Sequence, residues 1–156
     1  MARSAVVLAT SLVLALVGLV VVHPPQARAA DPAPITLAKS SGGSVLLGGT
    51  ADWRLTASNP PDGTEQYNLS FTDTLPQGVA YQPNSTSPAM YGEPQIITIV
   101  DDATTTPKKT HQVLIWSNVS DLTPGSSATL SYQTTVSATA FPIGSTVANA
   151  AAAYVS

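Results

Sequence analysis

The sequence contains no cysteine, so no disulfide bond stabilises the fold and any covalent reinforcement must use other side chains. Charged residues are also scarce, at 10% of 156 residues, and the long charged periodic segments of helical bundles are absent. Thr, Ser and Pro are frequent instead, and apolar residues recur in regular alternation. This composition favours one all-β domain and argues against disorder.

The N-terminal segment has the features of an export signal. A base, Arg3, precedes an apolar run at 5–22, and the Ala-Arg-Ala triplet at 27–29 is the small-x-small pattern that signal peptidase recognises. We therefore predict a signal peptide over 1–29, a short linker over 30–34, and a secreted or cell-surface protein. The alternative is an uncleaved anchor, because the run approaches the length that spans a bilayer. Only this segment would then contact a membrane.

The charge balance and the scarcity of histidine exclude several function classes. Loss of Arg3 and Arg28 with the signal peptide leaves four of the six basic residues against nine acidic ones, so we expect no nucleic-acid binding. His111 is the only histidine outside the signal segment, and we interpret it as an exposed loop residue. The adjacent acids at 101–102 are typical of a solvated turn. We predict no metal, no cofactor and no enzymatic activity on an external substrate.

Residues 35–156 show the pattern of a β-sandwich. Alternating apolar and polar residues predict about seven to nine strands and no helix, with Gly- and Pro-rich turns between them. The clearest predicted strands cover 35–39, 50–59, 67–73, 95–100, 113–116, 128–136 and 146–155. This spacing is typical of an immunoglobulin-like Greek-key β-sandwich.

Three polar residues occupy positions where this alternation points inward. Lys39 continues the apolar face of the first strand, and Asn149 continues that of the last. Asp73 falls on the same face as Tyr67, Leu69 and Phe71. A buried charge is costly unless it is paired or neutralised. Since the first and last strands of a sandwich are commonly neighbours, we expect the lysine and the asparagine to meet.

These three side chains carry a specific chemistry if they converge. A desolvated lysine loses its proton readily, and a buried carboxylic acid keeps its proton. Neutral Lys39 would attack the Asn149 carboxamide carbon while Asp73 hydrogen-bonds the carbonyl oxygen. Ammonia leaves and an amide crosslink remains, a self-modification that occurs once per molecule.

Each of the three residues also has a simpler interpretation. Asp73 could cap the turn that follows its strand. Lys39 could lie at a sheet edge with its amine in water, and Asn149 could bond to backbone across a ladder. The sequence alone leaves these alternatives open.

The motifs around these residues resemble a known family. The segment 71–76, FTDTLP, the L-x-P-G turn and strand at 122–130, and the closing 147–151 are similar to the repeat domains of bacterial surface proteins called the domain of unknown function eleven group. They are also similar to pilin and adhesin modules that form intramolecular Lys-Asn isopeptide bonds. The resemblance implies a stalk or spacer module with other modules or surface proteins as partners, crosslinked between Lys39 and Asn149 and assisted by Asp73.

A second function hypothesis concerns the irregular segment 82–94, which Tyr81 and Tyr91 flank. Such a loop could bind a glycan or a protein ligand, as in an adhesin. A large exposed aromatic patch there would favour binding, whereas a loop packed on its own sandwich would favour the structural module.

Three Asn-x-Ser/Thr triplets, which begin at Asn68, Asn84 and Asn118, match the glycosylation acceptor pattern. In a sequence so rich in Ser and Thr, and of bacterial type, we interpret these matches as accidental.

Overall fold

A computed structural model describes residues 34–156 of the protein. The predicted signal peptide, 1–29, and all but the last residue of the predicted linker, 30–34, lie outside this range. Eight strands follow in order: β1 Thr36–Ser41, β2 Thr50–Ser58, β3 Gln66–Thr74, β4 Val79–Tyr81, β5 Gln95–Asp102, β6 Lys109–Leu122, β7 Ser127–Val136 and β8 Ala150–Tyr154. The only helical element in the described range is a 3-10 turn at Ala89–Tyr91, and no helix there is long and apolar enough to cross a membrane.

The strands form two antiparallel sheets of four strands each. One sheet has the order β1-β2-β7-β4 and the other has the order β5-β6-β3-β8. Successive side chains of a strand point to opposite faces, so the alternation in the sequence gives each sheet one face toward the core. The predicted all-β, immunoglobulin-like sandwich and its strand number are confirmed.

Apolar side chains from both sheets meet in the core. An aromatic cluster lies at its centre, where the Trp116 and Tyr132 ring centroids are 5.0 Å apart and Tyr81 lies 6.2 and 6.1 Å from them. Burial of rings of this size removes a large apolar area from water and dominates the stability of a small core. The remaining large buried side chains are Phe71, Leu55, Leu69, Leu75, Leu114, Leu122 and Leu130.

A bulge in β3 overturns the prediction that Tyr67 points inward. The Tyr67 side chain is 47% exposed, and the β3 register against β6 shifts between Gln66 and Leu69 and again between Leu69 and Phe71. Asn68 adopts a left-handed conformation at the bulge, with φ of 54°. The extra residue changes the parity of the strand, so the alternation holds only from Leu69 onward.

The asparagines of all three glycosylation-like triplets have this left-handed conformation. Asn68, Asn84 and Asn118 have φ of 54°, 61° and 54°. Asparagine is one of the few residues other than glycine that adopts this conformation readily. The backbone therefore gives a structural reason for asparagine at these positions.

The last strand is shorter than the predicted 146–155. β8 pairs with β3 from Ala150 opposite Thr74 onward, and β3 ends there. The Leu75 N–H bonds to the Gln112 carbonyl at 2.8 Å instead, and Pro76 has no N–H to donate. Residues before Ala150 consequently have no ladder partner, and Asn149 lies just outside the strand.

Candidate functional site

Asp73 is a fully buried carboxyl group in the middle of the second sheet. It lies in β3, where it pairs with Leu114 of β6 on one side and Ala151 of β8 on the other. Its exposed fraction is 0%. Because Leu69 and Phe71 point inward on the same strand, the alternating geometry directs the carboxyl group across the core toward the first sheet.

Lys39 reaches this carboxyl group from the opposite sheet. Its Nζ lies 2.6 Å from both Asp73 Oδ1 and Asp73 Oδ2. The amine also lies 4.8 Å from the ring centroid of Trp53 on the neighbouring strand β2, and only 15% of the lysine side chain is exposed. Trp53 thus shields the amine from water, and Lys39 does not extend into solvent as an edge lysine would.

Tyr132 is a third member of the site, and the sequence reasoning missed it. Its hydroxyl donates a hydrogen bond to Asp73 Oδ2, and its ring is buried. A signal for it existed, because Tyr132 has the same parity as the buried Ala128 and Leu130 on β7. A buried tyrosine needs a partner for its hydroxyl, and an inward acid elsewhere in the chain is a suitable acceptor.

Asn149 contributes a buried carboxamide without a hydrogen bond. Its Oδ1 and Nδ2 are both inaccessible to water, and neither reaches hydrogen-bond geometry with any residue of the described range. The carboxamide is nevertheless close enough to the Tyr132 hydroxyl to act against the rise in the pKa of that phenol. Leaving such a group unsatisfied costs about 1–3 kcal/mol, so its retention calls for an explanation.

Burial shifts the two ionisable partners away from their charged forms. Desolvation raises the pKa of Asp73, against the effects of its bonds to Lys39 and Tyr132. Desolvation also lowers the pKa of Lys39, against its hydrogen bond and attraction to Asp73. Burial, followed by the neighbouring Asp73 charge, raises the pKa of Tyr132 above its ordinary range, so this hydroxyl remains protonated.

These shifts bring the neutral form of the pair closer in free energy to the ion pair. Transfer of one proton from the Lys39 ammonium to Asp73 yields a free amine and a carboxylic acid at hydrogen-bond distance, without any change in total charge. The buried site therefore holds an amine and a carboxyl group that can exchange a proton, and the Asn149 carboxamide lies within reach of their Tyr132 partner. Amine, acid and carboxamide are the groups that aminolysis of an amide requires.

The segment 82–94 packs on its own sandwich. Tyr81 is buried, and its hydroxyl bonds to Thr86 at 2.7 Å and to Glu93 at 2.9 Å. Trp116 donates to the same Thr86 hydroxyl at 3.2 Å, and Tyr91 is partly buried against the core. The two tyrosines therefore form no exposed aromatic patch, and this packing favours the structural hypothesis over ligand binding.

His111 differs from its interpretation as an exposed loop residue. It lies in β6, and its Nδ1 is 2.7 Å from Asp101 Oδ1 at the end of β5. The acids at 101–102 likewise end strand β5 and do not form the expected turn, because the ladder extends to Asp102 opposite Lys109. Within residues 34–156, no group of three or more His, Asp or Glu side chains is arranged to hold a metal ion.

Neither the protein-family models nor the curated proteins include a match to this chain.

Proposed function

We propose that this protein is a non-enzymatic structural module, a stalk or spacer of a secreted or cell-surface bacterial protein, reinforced by an amide crosslink between Lys39 and Asn149. The observation that carries the proposal is the buried Lys39–Asp73 pair, whose Tyr132 partner is also within reach of the buried Asn149 carboxamide. Stability alone is a poor explanation for the pair, because the desolvation cost of a buried ion pair often exceeds the attraction between its charges. The Asn149 carboxamide, which is buried and reaches no partner with hydrogen-bond geometry, supplies a carbon that the Lys39 amine could attack.

The crosslinking step balances in atoms and protons. Neutral Lys39 Nζ attacks Asn149 Cγ while protonated Asp73 donates a hydrogen bond to the carbonyl oxygen. The new Nζ–Cγ bond forms, the Cγ–Nδ2 bond breaks, and a proton from the lysine nitrogen passes through Asp73 to the departing nitrogen. One ammonia molecule leaves. Tyr132 holds the second carboxyl oxygen of Asp73 throughout, so the acid keeps one orientation.

A crosslink at these positions suits a chain that carries load. Lys39 lies in the first strand and Asn149 lies directly before the last, so the bond encloses strands β2 to β7. Tension applied to the two ends would pass through a covalent bond, while the sheets inside the loop remain unstressed. The sequence has no cysteine that could do the same with a disulfide. The expected partners are neighbouring modules or other surface proteins.

The test is the intact mass of the purified protein compared with Lys39→Ala and Asn149→Ala. The proposal predicts that the parent protein lacks the mass of one ammonia relative to its sequence, and that both variants lack nothing. Lys108→Ala, which removes an exposed loop lysine, is the matched control and should retain the deficit. A parent protein with its full sequence mass would contradict the crosslink.

A further inference from the structure

Strand β5 is an apolar strand at the edge of the second sheet. It pairs with β6 on one side, and no strand within residues 34–156 pairs with its other side. Apolar side chains on both of its faces remain accessible: the exposed fractions are 42% for Ile96, 39% for Ile97, 40% for Ile99 and 50% for Val100. An edge of this kind presents free backbone N–H and C=O groups together with apolar surface.

The usual protections of an edge strand are missing over most of β5. Natural edges carry lysine, proline or a bulge, or are kept very short. From Gln95 to Val100 the strand has no charge and no proline, and its only irregularity against β6 falls at the end, between Val100 and Asp102. Strand β4, at the edge of the first sheet, has only three residues. The edge is therefore competent to accept another strand.

We propose that β5 pairs antiparallel with β5 of a second copy of this chain, so that the two second sheets join into one. A two-fold axis at Thr98 places Ile96 of each copy opposite Val100 of the other, and Ile97 opposite Ile99. Each accessible apolar residue then meets an apolar residue on the same face. This self-complementary pattern is the reason to favour a second copy over an unrelated partner.

The acidic residues select this orientation and register. Parallel pairing would bring Asp101 and Asp102 of the two copies together, and like charges directly opposite are destabilising. The register about Thr98 instead places Asp101 opposite Gln95. An axis at Ile97 would instead bring Asp101 against Glu93, and an axis at Ile99 would bring Asp101 against Ile97. Of these three registers, only the one centred on Thr98 avoids both unfavourable pairs.

The expected association is weak and depends on concentration. One shared strand pair buries less than the roughly 1,200–2,000 Å² of a standard protein interface. Crosslinking of Lys39 to Asn149 plays no part in it, since Lys39 lies in β1 and Asn149 directly precedes β8. The result of a test of the dimer is therefore independent of whether the proposed isopeptide bond forms.

The absence of cysteine from the chain allows a direct test of register. In Thr98→Cys, the symmetry axis brings the two new thiols opposite each other, so mild oxidation should give a disulfide-linked dimer. Ser40→Cys, an exposed position on the edge strand β1, is the matched control and should crosslink much more slowly. Equal rates of dimer formation in the two variants would overturn the proposed pairing.

Sedimentation analysis of the unmodified protein provides the second measurement. The parent protein should show a dimer that increases with concentration, and Ile97→Lys should weaken dimerisation by about tenfold or more because it buries a charge against Ile99. Thr129→Lys adds the same charge on an exposed position of β7 and should leave the dimer unchanged. A parent protein that sediments as a monomer at every concentration would refute the inference.

Discussion

Replacement of Asn149 by alanine is expected to lower the free energy of unfolding by several kcal/mol. The crosslink would join residues 110 positions apart in the chain. By the loop-entropy relation that applies to disulfides, closing a loop of about 100 residues stabilises the folded state by ~4.7 kcal/mol. For a domain of this size each kcal/mol corresponds to a few degrees, so the midpoint of thermal unfolding should fall by roughly 15 °C.

Asn149→Ala is a cleaner perturbation than Lys39→Ala. Removal of the lysine would leave the Asp73 carboxyl group buried without its cation, and breaking a buried pair in this way costs about 3–5 kcal/mol by itself. Removal of the carboxamide leaves the Lys39–Asp73 pair intact and deletes a group whose contact with the Tyr132 hydroxyl falls outside hydrogen-bond geometry.

Scanning calorimetry and denaturant titration measure the difference. Thr146→Ala, an exposed position in the same segment, is the control and should change the unfolding free energy by less than about 0.5 kcal/mol. If Asn149→Ala destabilises the protein no more than this control does, the covalent loop closure is absent and the reasoning fails.

Three further predictions concern the same core. Tyr132→Phe removes one hydrogen bond to Asp73, worth about 1.5–3 kcal/mol when the acceptor is charged, and should lower the unfolding free energy by about that amount in denaturant titration; a change within about 0.5 kcal/mol would contradict the bond. The crosslinking rate, measured in refolding followed by mass spectrometry, should be highest between the raised pKa of Asp73 and the lowered pKa of Lys39, where the pair shares one proton. It should fall at lower pH, where both groups are protonated, and at higher pH, where both have lost their protons; a rate that rises steadily with pH would contradict this. Phe71→Ala should destabilise the fold by about 3–5 kcal/mol in denaturant titration, whereas Tyr67→Ala on the same strand should cost under about 1 kcal/mol, and equal costs would contradict the bulge.

Most of the fold could be predicted from the alternation of apolar and polar residues. It predicts the two-sheet architecture and the inward set of β2 and β7, because a half-buried strand must alternate to keep one face dry. It failed at Tyr67, where a bulge at Asn68 inserts a residue and inverts the parity. The hydrophobic pattern alone cannot show a bulge, since the flanking residues remain compatible with a regular strand.

The predicted start of the last strand was wrong for a different reason. Alternation continues through Val147 and Asn149, but the ladder can extend only as far as β3 offers partners, and β3 ends at Thr74. Strand ends of this kind depend on a distant segment and not on local sequence.

The site was predictable in part. Parity alone puts Lys39 and Asp73 on inward faces, and the structure places them in contact at 2.6 Å. Tyr132 was not singled out, because an aromatic residue on an inward face is ordinarily core and nothing in its own strand indicates a polar partner. Which inward polar groups meet depends on how the sheets stack, which periodicity does not specify.

The most direct measurement of the proposed bond is a peptide map of a trypsin digest analysed by tandem mass spectrometry. Lys39 in an amide is not cleaved, so the account predicts a branched peptide in which the fragment that ends at Arg54 is joined through Lys39 to the fragment 110–156 that contains Asn149. Recovery of a free 40–54 peptide together with an unmodified 110–156 peptide as the main products would contradict it.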